Sequence, residues 1–192
     1  MVNPEDVVSK VRVYGIDESV CASKYPFATD LSYCNDDITQ TQFRLAQAPS
    51  GSGEDTFLHG IIVQFDLTLP ITVWKQAERY HFLEFVSSQS TMHKATDFDI
   101  DSQCSELVHP EIKEILKKLI ADYKEAPTAE KELVILDSLP TGFLLTARMT
   151  TNYLQLKTIY RQRRMHKHPY WRAFCKWVET LPLHTFIIGK GE

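Results

Sequence analysis

The chain has 192 residues, a formal net charge of −4 and an apolar fraction of 43%. This length suits one domain over residues 1–192 with a substantial core, and the composition is that of a folded globular protein. The net negative charge excludes a general polyanion-binding protein, so any nucleic-acid surface must be local. No apolar run approaches the roughly 20 residues of a membrane span, and residues 1–8 lack a signal-peptide apolar stretch. We therefore expect a cytoplasmic protein with no membrane partner.

The cysteines are scattered along the chain and include no Cys-x-x-Cys pair. This pattern is typical of reduced intracellular thiols, and a zinc site is not expected. A metal site built from two nearby histidines would need both on one helical face, which their spacing does not allow, so we predict no metal. The cysteines are Cys21, Cys34, Cys104 and Cys175, and the histidines are His166 and His168.

The first half of the chain alternates between strand and helix patterns. Residues 7–14 predict a strand with Val11 and Val13 on one face, and residues 36–48 predict a short helix capped by an aspartate. Residues 60–69 are the clearest strand, because apolar residues alternate with polar ones. The apolar residues are Ile61, Val63, Phe65 and Leu67, and the polar ones are Gln64, Asp66 and Thr68. The intervening glycine- and serine-rich stretch, residues 48–55, reads as a mobile turn, with a ligand-cradling loop as the alternative.

A helix is predicted over residues 70–93, because a proline opens it directly after the strand. Wound at 100° per residue, this segment separates into an apolar face and a face rich in amides and hydroxyls. The second face predicts either a ligand site or a buried helix whose polar groups pair with neighbouring chain. The apolar face holds Trp74, His81, Phe82 and Phe85; the polar face holds Gln76, Arg79, Ser87 and Ser90, interrupted by Leu83.

The second half predicts three more helices and a strand. Pro110 opens a helix with an apolar stripe, Thr128 caps a shorter helix, and residues 143–151 form a strand. Residues 152–164 and a segment from Pro169 form the last two helices. The sum is an α+β domain with mixed helices and a small antiparallel sheet. The stripe of the first of these helices is Ile112, Ile115, Leu116, Leu119, Ile120 and Tyr123.

Cations concentrate near the end of the chain. Residues 160–177 hold six Lys/Arg and no acid, interleaved with aromatic residues. Cations for phosphates and rings for bases are typical of single-strand nucleic-acid binding. The alternative is that Trp171 and Phe174 face the core, which leaves a basic groove for a phosphate-bearing ligand. Asn152 and Arg163 share one helix face, about 16 Å apart along the axis.

Taken together, residues 57–90 and 139–171 resemble the flavin-dependent thymidylate synthases. The order and spacing of several short motifs carry the resemblance, although each motif alone is weak. The motifs are Phe57-x-His59, Gln76-x-x-Arg79, Ser90, Leu139-Pro140, Asn152 followed eleven residues later by Arg163, and His168-x-x-Trp171.

The resemblance implies a homotetramer that binds FAD and dUMP at subunit interfaces. It further implies transfer of a one-carbon or methyl group to C5 of dUMP with FAD, NADPH and methylene-tetrahydrofolate. The implied catalytic residues are Ser90, Arg79 and Arg163. The implied FAD-binding residues are His59, Arg79, Tyr80, His81, Asn152 and His168, and the implied dUMP-binding residues are Gln76, Arg79, Ser90 and Arg163.

The chain also departs from the family pattern. Arg-His-Arg is replaced by Arg79-Tyr80-His81, the terminal Ser-x-Arg by Ser90-Thr91-Met92, and two further arginines by Leu136 and Leu154. A charge-assisted contact is worth about 1.5–3 kcal/mol, so the missing cations weaken nucleotide binding unless others replace them. The alternatives are therefore a catalytically altered homologue that binds nucleotide or single-stranded nucleic acid, or a structural subunit. The possible replacement cations are Arg148, Lys157, Arg161 and Arg164.

Arg79 and Arg163 lie on predicted helix faces with no obvious acidic neighbour. An unpaired guanidinium is costly to bury, so each is expected to meet an anionic group, most simply a ligand phosphate.

Overall fold

The computed structural model describes residues 2–49 and 51–189. Its described residues form a four-stranded sheet of order β1-β2-β4-β3, in which β1 and β2 pair antiparallel. Mixed helices and a small antiparallel sheet confirm the predicted α+β class. The strands are Val8–Tyr14 (β1), Ile62–Pro70 (β2), Glu84–Ser88 (β3) and Leu144–Asn152 (β4).

Helices occupy most of the chain between the strands. In chain order they are Pro4–Val7 (α1), Ile16–Ala22 (α2), Gln40–Ala46 (α3), Ile71–Ala77 (α4), Thr91–Lys94 (α5), Ile100–Gln103 (α6), Pro110–Glu125 (α7), Ala129–Asp137 (α8), Tyr153–Arg163 (α9), Pro169–Val178 (α10) and Thr185–Ile188 (α11). Short 3-10 helices lie at Tyr25–Phe27, Leu31–Tyr33 and Thr56–Gly60. No helix of the described chain combines the length and apolar character needed to cross a membrane.

The chain divides into two compact units. Strands β2 and β4 each contribute residues to both, and the prediction of one domain over residues 1–192 stays a prediction. The first unit comprises Met1–Leu67, Tyr80–Val86 and Arg148–Glu192, and the second comprises Thr68–Arg79 and Ser87–Ala147.

The core of the first unit is built from one face of β2 and the apolar side of α10. Val63, Phe65 and Leu67 are fully buried, as the predicted alternation requires. The ring of Phe65 lies 6.1 Å from that of Phe174 on α10. Cys175 on the same helix is 2% exposed, and burial raises the pKa of its thiol to about 12. The predicted apolar side of α10 is therefore correct.

The core of the second unit packs α7 and α8 around Phe143. Thr128 caps α8 by accepting a hydrogen bond from the amide of Lys131, as predicted. The predicted stripe on α7 is only partly correct, because Ile112 and Ile115 are 43% and 57% exposed. The buried residues of this core are Ala95, Ile100, Cys104, Val108, Leu116, Ile120, Ile135 and Phe143.

The long helix predicted over residues 70–93 is wrong. Helix α4 ends at Ala77, residues 84–88 form β3, and a separate short helix begins at Thr91. The two predicted faces therefore do not exist: Leu83, placed on the polar face, is 4% exposed, while Phe82 is 52% exposed. The segment pairs at the sheet edge beside β4, and this pairing overrides the helical periodicity.

One smaller prediction also changes, and another is confirmed. Helix α3 is capped by Thr39 and Gln42, which bond each other's backbone amides in a capping box, rather than by an aspartate. In β1 the pairing with β2 shifts between Ser9 and Arg12. Val11 and Val13 are both half-buried while Arg12 and Tyr14 are exposed, so the two valines share one face, as predicted.

Candidate functional site

A cation–aromatic cluster lies in the first unit, where α9 ends and α10 begins. Arg163, the last residue of α9, donates from Nε to the hydroxyl of Tyr80 at 2.8 Å. Its guanidinium carbon lies 4.9 Å from the ring centre of Trp171 and 5.6 Å from that of Tyr80. The Tyr80 hydroxyl in turn donates to Oε1 of Gln162 at 2.8 Å. The contacts hold the guanidinium plane in a defined orientation.

The cluster also bears on the predicted role of Arg163. Its guanidinium was expected to meet an anionic group, and the chain places a hydroxyl and two aromatic faces beside it, so the anionic partner stays a prediction. Sequence reasoning missed Gln162 and assigned Trp171 to the core alone. The motif His168-x-x-Trp171 was the available signal for the tryptophan, whereas no local pattern pointed to the glutamine.

His59 and Asn152, both predicted to contact FAD, are brought together in the first unit. Asn152 caps α9, because its Oδ1 accepts a hydrogen bond from the amide of Gln155 at 2.8 Å. Its Nδ2 lies 3.4 Å from Nδ1 of His59. The His59 ring meets the ring of Phe82 edge to face at 5.5 Å. The Asn152 side chain thus makes two contacts. Its oxygen caps α9, and its nitrogen lies beside the exposed imidazole of His59.

A pair of histidines opens α10. The amide of His168 donates to Nδ1 of His166 at 3.1 Å. Burial, the neighbouring imidazole of His166 and the cations Arg172 and Lys167 lower the pKa of His168. Nδ1 of His168 is buried and has no hydrogen-bond partner among the described residues. A neutral imidazole with an unsatisfied ring nitrogen is suited to hydrogen-bond a ligand.

Three predicted site residues belong to the second unit. Gln76 is half-buried near the end of α4, and its Nε2 lies 3.5 Å from the carbonyl of Thr72. Arg79 is exposed in the turn after α4 and makes no hydrogen bond or ion pair with the described residues. Ser90 precedes α5, and its side chain makes no capping hydrogen bond. Because the Arg79 guanidinium is exposed, the folded chain does not need to pair it. It is therefore free to bind an anionic ligand.

The remaining predicted residues lie outside the clusters described above. His81 is exposed in the turn before β3. The aromatic rings of residues 160–177 do not form a base-stacking surface, since Trp171, Phe174 and Trp177 are at most 6% exposed. They face the core, as the alternative interpretation predicted. Of the six cations in that segment, five are exposed and Arg163 is half-buried.

One of the four proposed replacement cations is unavailable. Lys157 is 1% exposed, and its ammonium contacts Oδ2 of Asp55 at 2.7 Å and the carbonyls of Ala46 and Ala48 at 2.6 and 2.9 Å. Arg164 is exposed, and Arg148 lies on the sheet. The described residues contain no group of three or more His, Cys, Asp or Glu that could hold a metal ion.

The fold of the chain is similar to that of flavin-dependent thymidylate synthases. Two crystal structures of the flavin-dependent thymidylate synthase ThyX from Helicobacter pylori, each complexed with FAD and dUMP, match it with TM-scores of 0.72 and 0.73. Each match covers 95% of this chain and 98% of the other at 11% sequence identity. No family model and no curated protein matches the sequence. The likeness is therefore one of fold, with a highly divergent sequence.

Proposed function

We propose that this protein binds FAD and a dUMP-like nucleotide as a divergent flavin-dependent thymidylate synthase. The observation that carries the proposal is the fold match over 95% of the chain to two structures complexed with those two ligands. The motif order along the sequence supports it independently. In this reaction a one-carbon group passes to C5 of the nucleotide, with methylene-tetrahydrofolate and NADPH as co-substrates.

Three of the residues implied for the flavin or the nucleotide have side chains available to a ligand. Nδ1 of His168 is a buried acceptor or donor without a partner, Arg79 exposes an unpaired guanidinium, and the Ser90 side chain makes no cap bond. When bound, FAD would supply the hydride chemistry, since flavins carry it in solution as well.

Each proposed residue has a role that its own chemistry allows. Arg79 would bind a phosphate, and Gln76 and Ser90 would donate or accept hydrogen bonds from the nucleotide. His59 and Asn152 would contact the flavin as a connected pair, with His81 and His168 adding hydrogen bonds. Arg163 would hold an anionic group of the nucleotide or flavin, and Tyr80 would pack along the flavin. All of these residues would bind and orient the ligands. In cofactor chemistry, binding and orientation are the protein's main contributions.

Binding is tested first by the visible spectrum of the protein purified without added cofactor, and by titration of FAD and dUMP into flavin-free protein. We expect flavin absorption bands, or a saturable change on titration. Arg79→Gln should weaken nucleotide or flavin affinity about tenfold or more, because a charge-assisted contact is lost. Lys75→Gln removes an equally exposed charge from α4 and is the matched control. If neither ligand binds at millimolar concentration, the proposal fails.

A nucleotide-binding homologue without synthase activity is the second candidate. The burial of Lys157 against Asp55 favours it, because one of the cations that could replace the missing arginines is consumed inside the protein. An assay for the formation of dTMP from dUMP, with methylene-tetrahydrofolate, NADPH and FAD, distinguishes the synthase from the inactive homologue. Binding of both ligands with no turnover would support the homologue.

We further propose a homo-oligomer, with the tetramer of the resembled family as the expected form. Phe82, Phe85 and Val86 are 52%, 46% and 58% exposed and give the first unit an apolar surface suited to association. Light scattering at micromolar concentration tests this. A mass of 22.1 kDa, that of one chain, would contradict it.

A further inference from the structure

An open groove of about 510 Å³ lies on the polar side of the sheet in the first unit. It shares no residue with the cluster around Arg163 or with the pair of His59 and Asn152. Three of its five lining residues are cations and one is a carboxylate. The lining residues are Lys10, Val11, Arg12, Asp66 and Arg148.

A bulge in β1 creates this concentration of charge. Ser9 pairs with Asp66, and the next pairing toward the strand end joins Arg12 to Gln64. Three residue steps on β1 therefore match two on β2. Side chains alternate along a strand, so without the extra residue Arg12 would lie on the face opposite Ser9. The bulge brings Arg12 to the same face as Asp66, and bulges commonly re-aim side chains next to functional sites.

The backbone at the bulge is strained. Lys10 has a φ of 49°, in the left-handed region that favours glycine. Two contacts hold it there: Arg148 donates from Nη1 to the Lys10 carbonyl at 2.8 Å, and the Lys10 ammonium lies 3.0 Å from Oδ2 of Asp66. Strained residues persist only where the surroundings hold them, and they cluster at binding and active sites.

The Asp66 carboxylate does not pair with all the hydrogen-bond donors of the groove's cations. Arg148 uses Nη1 for both its bonds, to the Lys10 carbonyl and to Oδ1 of Asp66 at 3.2 Å. Its Nε and Nη2 have no partner among the described residues. The Arg12 side chain is exposed and makes no hydrogen bond or ion pair within the described chain. Two planar guanidinium groups with free donors therefore line one concave surface.

The Asp66 carboxylate orders this surface rather than neutralising it. Its burial acts to raise its pKa, but hydrogen bonds and charges from Lys10 and Arg148 outweigh burial and lower the pKa. The carboxylate is thus ionised at neutral pH and fixes two cations in place. Three positive charges and one negative charge leave the groove with a net charge of +2.

We infer that this groove binds a phosphate group of a small phosphorylated ligand. A dianion matches the net charge, and the forked donors of Arg12 and Arg148 match the geometry of phosphate oxygens. The inference adds a site to those assigned to FAD and dUMP, and its test does not require either of them to bind.

Isothermal titration calorimetry with inorganic pyrophosphate at low ionic strength tests the inference. We expect saturable binding to the unmodified protein that weakens as salt is added. Arg12→Gln should weaken it at least about tenfold, and Arg12→Lys by less, because lysine keeps the charge and loses the fork. Arg44→Gln removes another exposed, unpaired arginine from α3 and should leave the affinity unchanged.

Two results would overturn the inference. One is the absence of saturable heat with pyrophosphate at millimolar concentration. The other is an equal loss of affinity in Arg12→Gln and Arg44→Gln, which would show general charge attraction. Because neither exposed side chain has a partner to lose, both variants should keep the melting temperature of the parent protein. A separate titration with FAD and dUMP reports on the proposed function, so failure of one is distinguishable from failure of the other.

Discussion

Two sites in the first unit each place cations beside one buried or half-buried aspartate, but they differ in their capacity to bind a ligand. At Lys157 the three ammonium donors meet one carboxylate and two carbonyls, and Lys157 and Asp55 side chains are 1% and 3% exposed. In the groove of Lys10, Arg12 and Arg148, several donors have no partner, and Arg148 is 27% exposed. The comparison teaches that a cation's capacity for a ligand depends on how many of its donors the chain already satisfies.

The largest expected effect is at the buried pair. Lys157→Met leaves the Asp55 carboxylate buried without its cation, which should lower the free energy of unfolding by about 3–5 kcal/mol. Urea denaturation followed by circular dichroism measures it. The double variant Lys157→Met with Asp55→Asn removes both charges and should recover a substantial part of the loss. Equal losses in the single and double variants would contradict a coupled ion pair.

The second effect concerns Arg163, which donates to the Tyr80 hydroxyl and lies over the ring of Trp171. Arg163→Lys loses the Nε bond to Tyr80 and the planar contact with Trp171, so we expect a loss of about 1–2 kcal/mol in unfolding free energy. Tyr80→Phe removes the same hydrogen bond and should not add fully to it. An unchanged melting temperature in Arg163→Lys would mean that the cluster contributes no stability and that the guanidinium serves a ligand alone.

The third effect is a pH dependence. The folded pKa of His168 lies below its usual value of 6.5, mainly because of burial. Between those two pKa values the unfolded chain binds the proton that the folded chain excludes, so stability should rise with pH through this window and be complete above about 6.5. One proton sets an upper limit of about 1.4 kcal/mol per pH unit. His168→Gln should reduce the slope of unfolding free energy against pH between pH 5 and 7. An unaltered slope would mean that other groups cause the pH dependence.

The smallest effect on stability is expected in the groove. Arg12→Gln should change the free energy of unfolding by no more than about 0.5 kcal/mol, because the side chain is exposed and has no partner in the described chain. The same urea titration measures it beside Lys157→Met. A loss approaching that of Lys157→Met would erase the contrast between the two sites and show that Arg12 is structural.

The elements predicted correctly are those whose signals are local. Strand β2 follows from its alternation, and the cap Thr128 follows from a side chain that bonds the amide three residues ahead. The pairing of His59 with Asn152 and of Tyr80 with Arg163 brings together residues to which the family resemblance had already given ligand-binding roles. No local pattern indicated which partners they would meet.

The sequence by itself determined the α+β class, most strands and helices of the second half, and the motifs that resemble a flavin-dependent synthase. Tertiary structure decided the rest. Residues 84–88 became a strand because the sheet edge beside β4 offers backbone partners that a local window does not contain. Lys157 became unavailable because Asp55, about a hundred positions earlier, meets it inside the core. Arg12 reached the polar face through a bulge whose register depends on β2. In each case long-range pairing, which periodicity cannot encode, set the outcome.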